Sequence, residues 1–140
     1  MKTLTLATRL EAPLRLHPNN PQLVGVEHLP GAIAAQMAEA PGGHLLAWSA
    51  VEAGIAGFSQ NGRTLLLPLP VLSAGIGSMR PAKGRGFITL FVRTDDGQMV
   101  DVLGSDTFDQ AVLDGLLGQR APLGELLGCA LDVEDWGHDC

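Results

Sequence analysis

Eighteen glycines and nine prolines punctuate this chain of 140 residues, and that frequency limits what it can fold into. Glycine frees the backbone for tight turns and close approaches, while proline fixes φ and removes a ladder donor. Their density favours short strands and short helices over a long bundle. The apolar share is 46% against 17% charged, ample for one continuous core at this length, which argues against global disorder. Tyrosine is absent and the aromatic residues are four phenylalanines and two tryptophans, so Leu, Val, Ile and Ala must do most of the packing.

The turn signals order the chain. Thr3 and Thr5 alternate with Leu4 and Leu6, a period-two strand pattern that Pro13 ends. A short strand over 14–17 follows, and Pro18-Asn19-Asn20-Pro21 turns the chain into another over 23–26, so the opening segments read as an antiparallel meander. Pro30 and the helix formers after it predict a short helix over 31–40, stopped by Pro41-Gly42-Gly43. The run 44–52 reads as a largely buried strand. Asn61-Gly62 predicts a type I′ hairpin with Phe58 opposite Leu65 and Ala56 opposite Leu67. Around Asp95-Asp96-Gly97, a three-residue loop pairs Val92 with Val100 and Leu90 with Val102 on one apolar face; a two-residue loop would set Val92 against Asp101.

Ser105 or Asp106 is placed to cap a helix carrying Phe108, Ala111, Val112 and Leu116, which Gly118 ends. Pro122 opens a second helix with Leu123, Leu126, Leu127, Ala130 and Leu131 along one stripe. Gly124 and Gly128, four apart, suggest close packing against the sheet or another subunit. Residues 133–140 read as an acidic tail anchored by Trp136. The expectation is one α+β domain over 1–140: an antiparallel sheet built from hairpins, a short middle helix and two C-terminal helices.

Charge is divided along the chain. Positions 1–94 hold eight Lys or Arg against four Asp or Glu, and 95–140 hold eleven acids against Arg120 alone. The overall charge of −6 disfavours wrapping a nucleic acid, which needs a broad basic surface. No apolar run approaches the roughly 20 residues of a membrane span, and Arg9 and Glu11 interrupt the start before a secretory stretch develops. A cytoplasmic protein with reduced Cys129 and Cys140 is expected.

No motif names a reaction. His17, His28, His44 and His138 are too far apart for paired ligands on one helix, so neither a metal nor a cofactor is expected. No serine stands in a nucleophile elbow, and Cys129 has the setting of a small buried residue. The best site candidate is the Gly-rich stretch 75–86, where Arg80, Lys83, Gly84 and Arg85 combine positive charge with amides able to form an anion-binding nest. The acids Asp106, Asp109, Asp114 and Glu125 form a candidate partner surface on the last helices. These poles suggest a non-enzymatic binding or accessory protein that associates with a protein partner or with a second copy of itself. The alternative is a small enzyme or ligand-binding domain that holds an anionic small molecule at 75–86.

Overall fold

In the computed structural model, which describes residues 2–6, 13–17, 23–25, 31, 35 and 44–139, Asn61 and Gly62 both take positive φ, 50° and 79°. Their two-residue turn sets Phe58 opposite Leu65 and Ala56 opposite Leu67, the register the side chains demand. The second hairpin has its three-residue loop as well. Gly97 lies at φ 86°, its N–H donates to the Thr94 carbonyl, and the Thr94 N–H donates to the Gln98 carbonyl. Val92 faces Val100, but the register shifts beyond them, so that Leu103 rather than Val102 faces Leu90. This bulge lets Val102 and Leu103 both reach the interior, at 0% and 1% exposure.

These hairpins belong to a chain of ten described strands: β1 (Lys2–Leu6), β2 (Arg15–Leu16), β3 (Leu23–Gly25), β4 (Leu45–Ala50), β5 (Ile55–Gln60), β6 (Arg63–Pro68), β7 (Ser73–Arg80), β8 (Phe87–Arg93), β9 (Met99–Ser105) and β10 (Leu131–His138). Helices α1 (Gln110–Gly118) and α2 (Arg120–Leu127) connect β9 to β10. The architecture is α+β and mostly antiparallel. It comprises two five-stranded sheets rather than one, in the orders β1-β4-β5-β6-β3 and β10-β7-β8-β9-β2. The expected opening meander does not form: β1 pairs with β4, β2 with β9 and β3 with β6. Strands of two to five residues bury little against each other, and these three instead satisfy the open edges of longer apolar strands. The helix expected over 31–40 lies, but for Gly31 and Ala35, outside the described residues, as does the turn at 18–21.

The acidic tail expected over 133–140 is largely strand. β10 runs parallel to β7 with Leu131 beside Ala74, Val133 beside Ile76 and Asp135 beside Ser78. Leu131 is buried at 2%, while Asp132, Glu134 and Asp135 face solvent on the outer edge. Charged residues are suited to an edge strand, where they discourage further pairing. An acidic sequence therefore masks a structured element. Helix α1 starts later than expected because β9 continues through Ser105. Its cap is Asp109, at φ −141°, whose carboxylate accepts from the Val112 N–H at 3.1 Å. Gly128, at φ 78°, closes α2 with its N–H on the Gly124 carbonyl, and a Cβ on Gly124 would lie 2.7 Å from the Cys129 carbonyl oxygen. The Gly124 and Gly128 pair thus folds the helix end onto its own turn.

One apolar cluster joins both sheets and both helices, with Leu45, Phe58 and Leu65 from the first sheet, Ile76 and Leu90 from the second, and Leu116 and Leu123 from the helices. A polar clasp also links the sheets. The buried Gln60 side chain at the end of β5 donates to the Leu14 carbonyl at 2.9 Å and accepts from the Leu16 N–H at 3.1 Å, acting as a strand partner for the segment that contains β2. Replacement Gln60→Met keeps the volume but removes both hydrogen bonds to the 14–16 backbone. It should lower stability by about 2–4 kcal/mol in urea denaturation. A loss within experimental error would mean that water replaces the clasp.

Candidate ligand-binding site

Glycines on the outer face of the second sheet prepare its site. A Cβ at Gly75 would come within 2.5 Å of the Phe91 ring, and one at Gly77 within 2.4 Å of the Trp136 indole. Both glycines lie in β7, so the loop expected over 75–86 is confined to 81–86. The alternation Gly75-x-Gly77 is a strand face left bare to receive aromatic rings, not a flexible loop. Trp136 stacks on Phe91 with ring centroids 5.9 Å apart at 27° and leans on Phe87 at 5.8 Å and 53°. Offset and tilted pairs of this kind are favourable for aromatic quadrupoles.

Phe87 and Trp136 of this group form one wall of a trough of about 610 Å³ that extends over β8 and β9 to β2. Register lines up its floor: Arg15 is opposite Gly104, Gly104 opposite Thr89, and Thr89 opposite Gly77. The small residues in that row lower the floor. Phe87, Met99 and Trp136 contribute apolar surface, and Arg15, His17, Asp101 and Asp106 bring charge or polarity to the lining. Met99 is 51% exposed. A mostly apolar concavity with a few convergent polar groups is the usual character of a small-molecule site.

The basic loop is arranged differently from its expectation. Its amides do form a nest, and the nest holds the carboxylate of the chain's own Asp139. Oδ1 accepts from the N–H groups of Ala82, Lys83 and Gly84 at 2.6, 3.0 and 3.1 Å, and Oδ2 accepts from Gly86 at 2.8 Å. The Asp139 N–H in turn donates to the Arg80 carbonyl at 2.9 Å. Hydrogen bonds from Ala82, Gly84 and Gly86 outweigh the small cost of desolvation and hold the Asp139 carboxyl at a pKa of about 2. Of the predicted ligand residues, Lys83, Gly84 and Arg85 are exposed on the loop. Arg80 is set apart: its guanidinium donates to Gln110 Oε1 at 3.3 Å and lies 5.1 Å from the centroid of the Phe108 ring.

The predicted acidic surface is dispersed in function. Asp106 is exposed at the trough, Asp109 caps α1, Asp114 accepts from Gln110 Nε2 at 2.9 Å, and Glu125 is exposed on α2. Cys129 is half-buried, and burial, reinforced by the charge of Asp132, pushes its thiol pKa up and away from the nucleophilic thiolate. Among the described residues no three of His, Cys, Asp and Glu are grouped to hold a metal ion, and no helix is long and apolar enough to cross a membrane. His28 lies outside the described residues. No protein-family model matches the chain, and no curated protein or solved structure is found to be similar to it.

The carboxylate of Asp139 imposes a pH dependence. Its folded pKa is depressed from 3.8 to about 2, so the contribution of this contact is complete above about pH 4 and is lost as pH falls through about 2. The amide resonances of Gly84 and Gly86 should shift together with a midpoint near pH 2 in wild type. In Asp139→Asn that titration should be missing. A midpoint close to 3.8 would show that the four donors do not engage the carboxylate in solution.

Proposed function

We propose that this chain is a non-enzymatic binding protein whose working surface is the trough on the outer face of its second sheet. The observation that carries the proposal is a volume of about 610 Å³ with an aromatic wall on one side and mixed charge on the other. Small-molecule sites fall between roughly 300 and 1,000 Å³ and are lined in this manner. The expected occupant is a small amphipathic molecule. Its flat apolar part would lie against Trp136 and Phe87, while its polar end would meet Arg15, His17 and Asp101. The unbranched thioether of Met99 adapts its shape at modest cost, which suits a wall that must close on a ligand.

Anilinonaphthalene sulfonate, a flat apolar body with one anionic group, is a suitable probe. Trp48 is fully buried in the first sheet, so Trp48→Phe leaves Trp136 as the only indole and places the fluorescence signal at the trough. Binding should change Trp136 emission in the folded protein. Thr89→Trp fills the floor with a side chain that strands accommodate well, and should weaken the probe by about tenfold or more at unchanged melting temperature. Equal affinity in the filled variant would remove the trough as the site.

Association through the two charge poles is a second reading. Its support is the exposure of Lys83 and Arg85 and of Asp106, Asp114 and Glu125. Steering between these poles is screened over about 8 Å at physiological ionic strength. Sedimentation velocity should therefore show a larger species at low salt that dissociates as salt is raised. A monomer at every salt concentration would exclude it.

A further inference from the structure

Four main-chain N–H groups on one six-residue loop converge on a single carboxylate, although nothing in the local turn requires an acid from 53 to 57 residues away. Converging amides of this kind bind anions by charge and shape, without reference to the group that carries the anion. We infer that the 81–86 loop is a phosphate-binding site that Asp139 occupies in cis, and that a phosphate group enters by displacing this carboxylate. The inference is independent of what the trough binds.

Charge favours phosphate over a second carboxylate. The loop bears Lys83 and Arg85, both exposed, whereas Asp139 brings one negative charge. A phosphate monoester carries about −1.5 to −2 at neutral pH and has three acceptor oxygens for the same donors. It matches the loop's two positive charges better than a carboxylate can. Tethering gives Asp139 an effective concentration of about the millimolar order. A free monocarboxylate has no advantage in charge with which to overcome it, and a dianion does.

The cis anion is also built to leave. Pairing of β10 with β7 becomes irregular between Asp135 and His138, Gly137 sits at φ 84°, and its N–H is held by the Asp135 side chain at 2.8 Å. With the Asp139 carboxylate released, the end of β10 is held to β7 by the His138–Arg80 pair and the Asp139 N–H on the Arg80 carbonyl, and it can open there while the regular pairs from Leu131 to Asp135 stay in place. Local opening of so short a stretch at the end of an edge strand is far easier than opening the sheet. Trp136 lies in this releasable stretch, over Gly77. Phosphate entry consequently lifts the indole from its glycine bed, and the anion site communicates with the trough through that one side chain.

The test is a titration of wild type and Asp139→Ala with inorganic phosphate and, separately, acetate, followed by amide and indole N–H resonances. In Asp139→Ala, phosphate should shift Gly84 and Gly86 with millimolar affinity, and acetate should bind at least about tenfold more weakly. Wild type should need about tenfold more phosphate than the variant, with the Trp136 indole moving in step with Gly84 and Gly86. Lys83→Ala combined with Arg85→Ala should weaken phosphate in the Asp139→Ala background. Should removal of the side chain collapse the loop, Asp139→Asn retains an acceptor oxygen and should show the same order of preference. Shifts confined to Lys83 and Arg85, with Gly84 and Gly86 still, overturn the site. Phosphate binding in wild type that leaves the Trp136 indole unmoved overturns the displacement.

Discussion

The parallel pairing of β10 with β7 is the contact on which the rest of the second sheet depends. Parallel neighbours need a crossover, and α1 and α2 supply it while covering the core. The return brings three things to one edge. Leu131 joins the core beside Ala74, Trp136 reaches Gly77, and Asp139 reaches the turn between β7 and β8. Had the chain ended after α2, the β7 edge would stay open, Phe87 and Phe91 would lose their stacking partner, and four amides would face water. A single strand therefore closes an edge, builds the trough's aromatic wall and fills the nest.

Aromatic rings laid over bare strand glycines recur in both sheets. Trp48 crosses Gly57, its direct partner on β5, just as Phe91 crosses Gly75 and Trp136 crosses Gly77. A glycine inside a strand costs about 0.5–1 kcal/mol relative to alanine. Burying an indole removes on the order of 200 Å² of surface, an upper bound of about 5 kcal/mol, so the ring's gain prevails. Trp48 takes this fully, at 0% exposure, and its Nε1 donates to Ser59 Oγ, which pairs with Thr64 Oγ1 at 2.7 Å. Trp136 takes it only in part. Its Nε1 finds Glu134 at 3.5 Å on an exposed edge, and its ring stays half open to the trough. The same device makes a sealed core residue in one sheet and an accessible, displaceable wall in the other.

Elements whose determinants are local were legible in the sequence. Asn61-Gly62 and Asp95-Asp96-Gly97 carry their turn geometry in two or three residues, and the apolar face fixes which residues meet across them. The α+β class could be inferred on the same basis, whereas Leu131, expected on the stripe of the last helix, lies in β10, and of the 75–86 stretch expected to form a nest only 81–86 is loop. What failed to show depends on long-range pairing. Nothing within 15–16 states that this dipeptide will join β9, and the acids of β10 mask a strand because an edge position lets them face water. The trough was invisible for the same reason, since Arg15, Thr89, Asp101 and Trp136 come from four strands. One signal was available: a Gly-x-Gly alternation beside strand-forming residues, which marks a face cleared for aromatic rings as readily as it marks a loop.

The division of charge along the chain also has a different physical meaning once the fold is known. Two separate poles would create a strong dipole and expose unsatisfied amides at the basic end. Instead the acidic C-terminal segment runs back along β7, and its last described residue places one negative charge at hydrogen-bond distance on the amides of the basic loop. Such a contact lowers the long-range field that steers encounters while leaving Lys83 and Arg85 in solvent. The depressed pKa of Asp139 follows from the same geometry, because four donors oriented by the backbone favour the charged form at almost no cost in burial. The donors belong to the turn between β7 and β8, and the acceptor to the end of an edge strand that is paired to β7 at His138. Exchange of anions at this loop requires the Asp139 carboxylate to leave the four amides, by rotation of its side chain or by movement of the strand end.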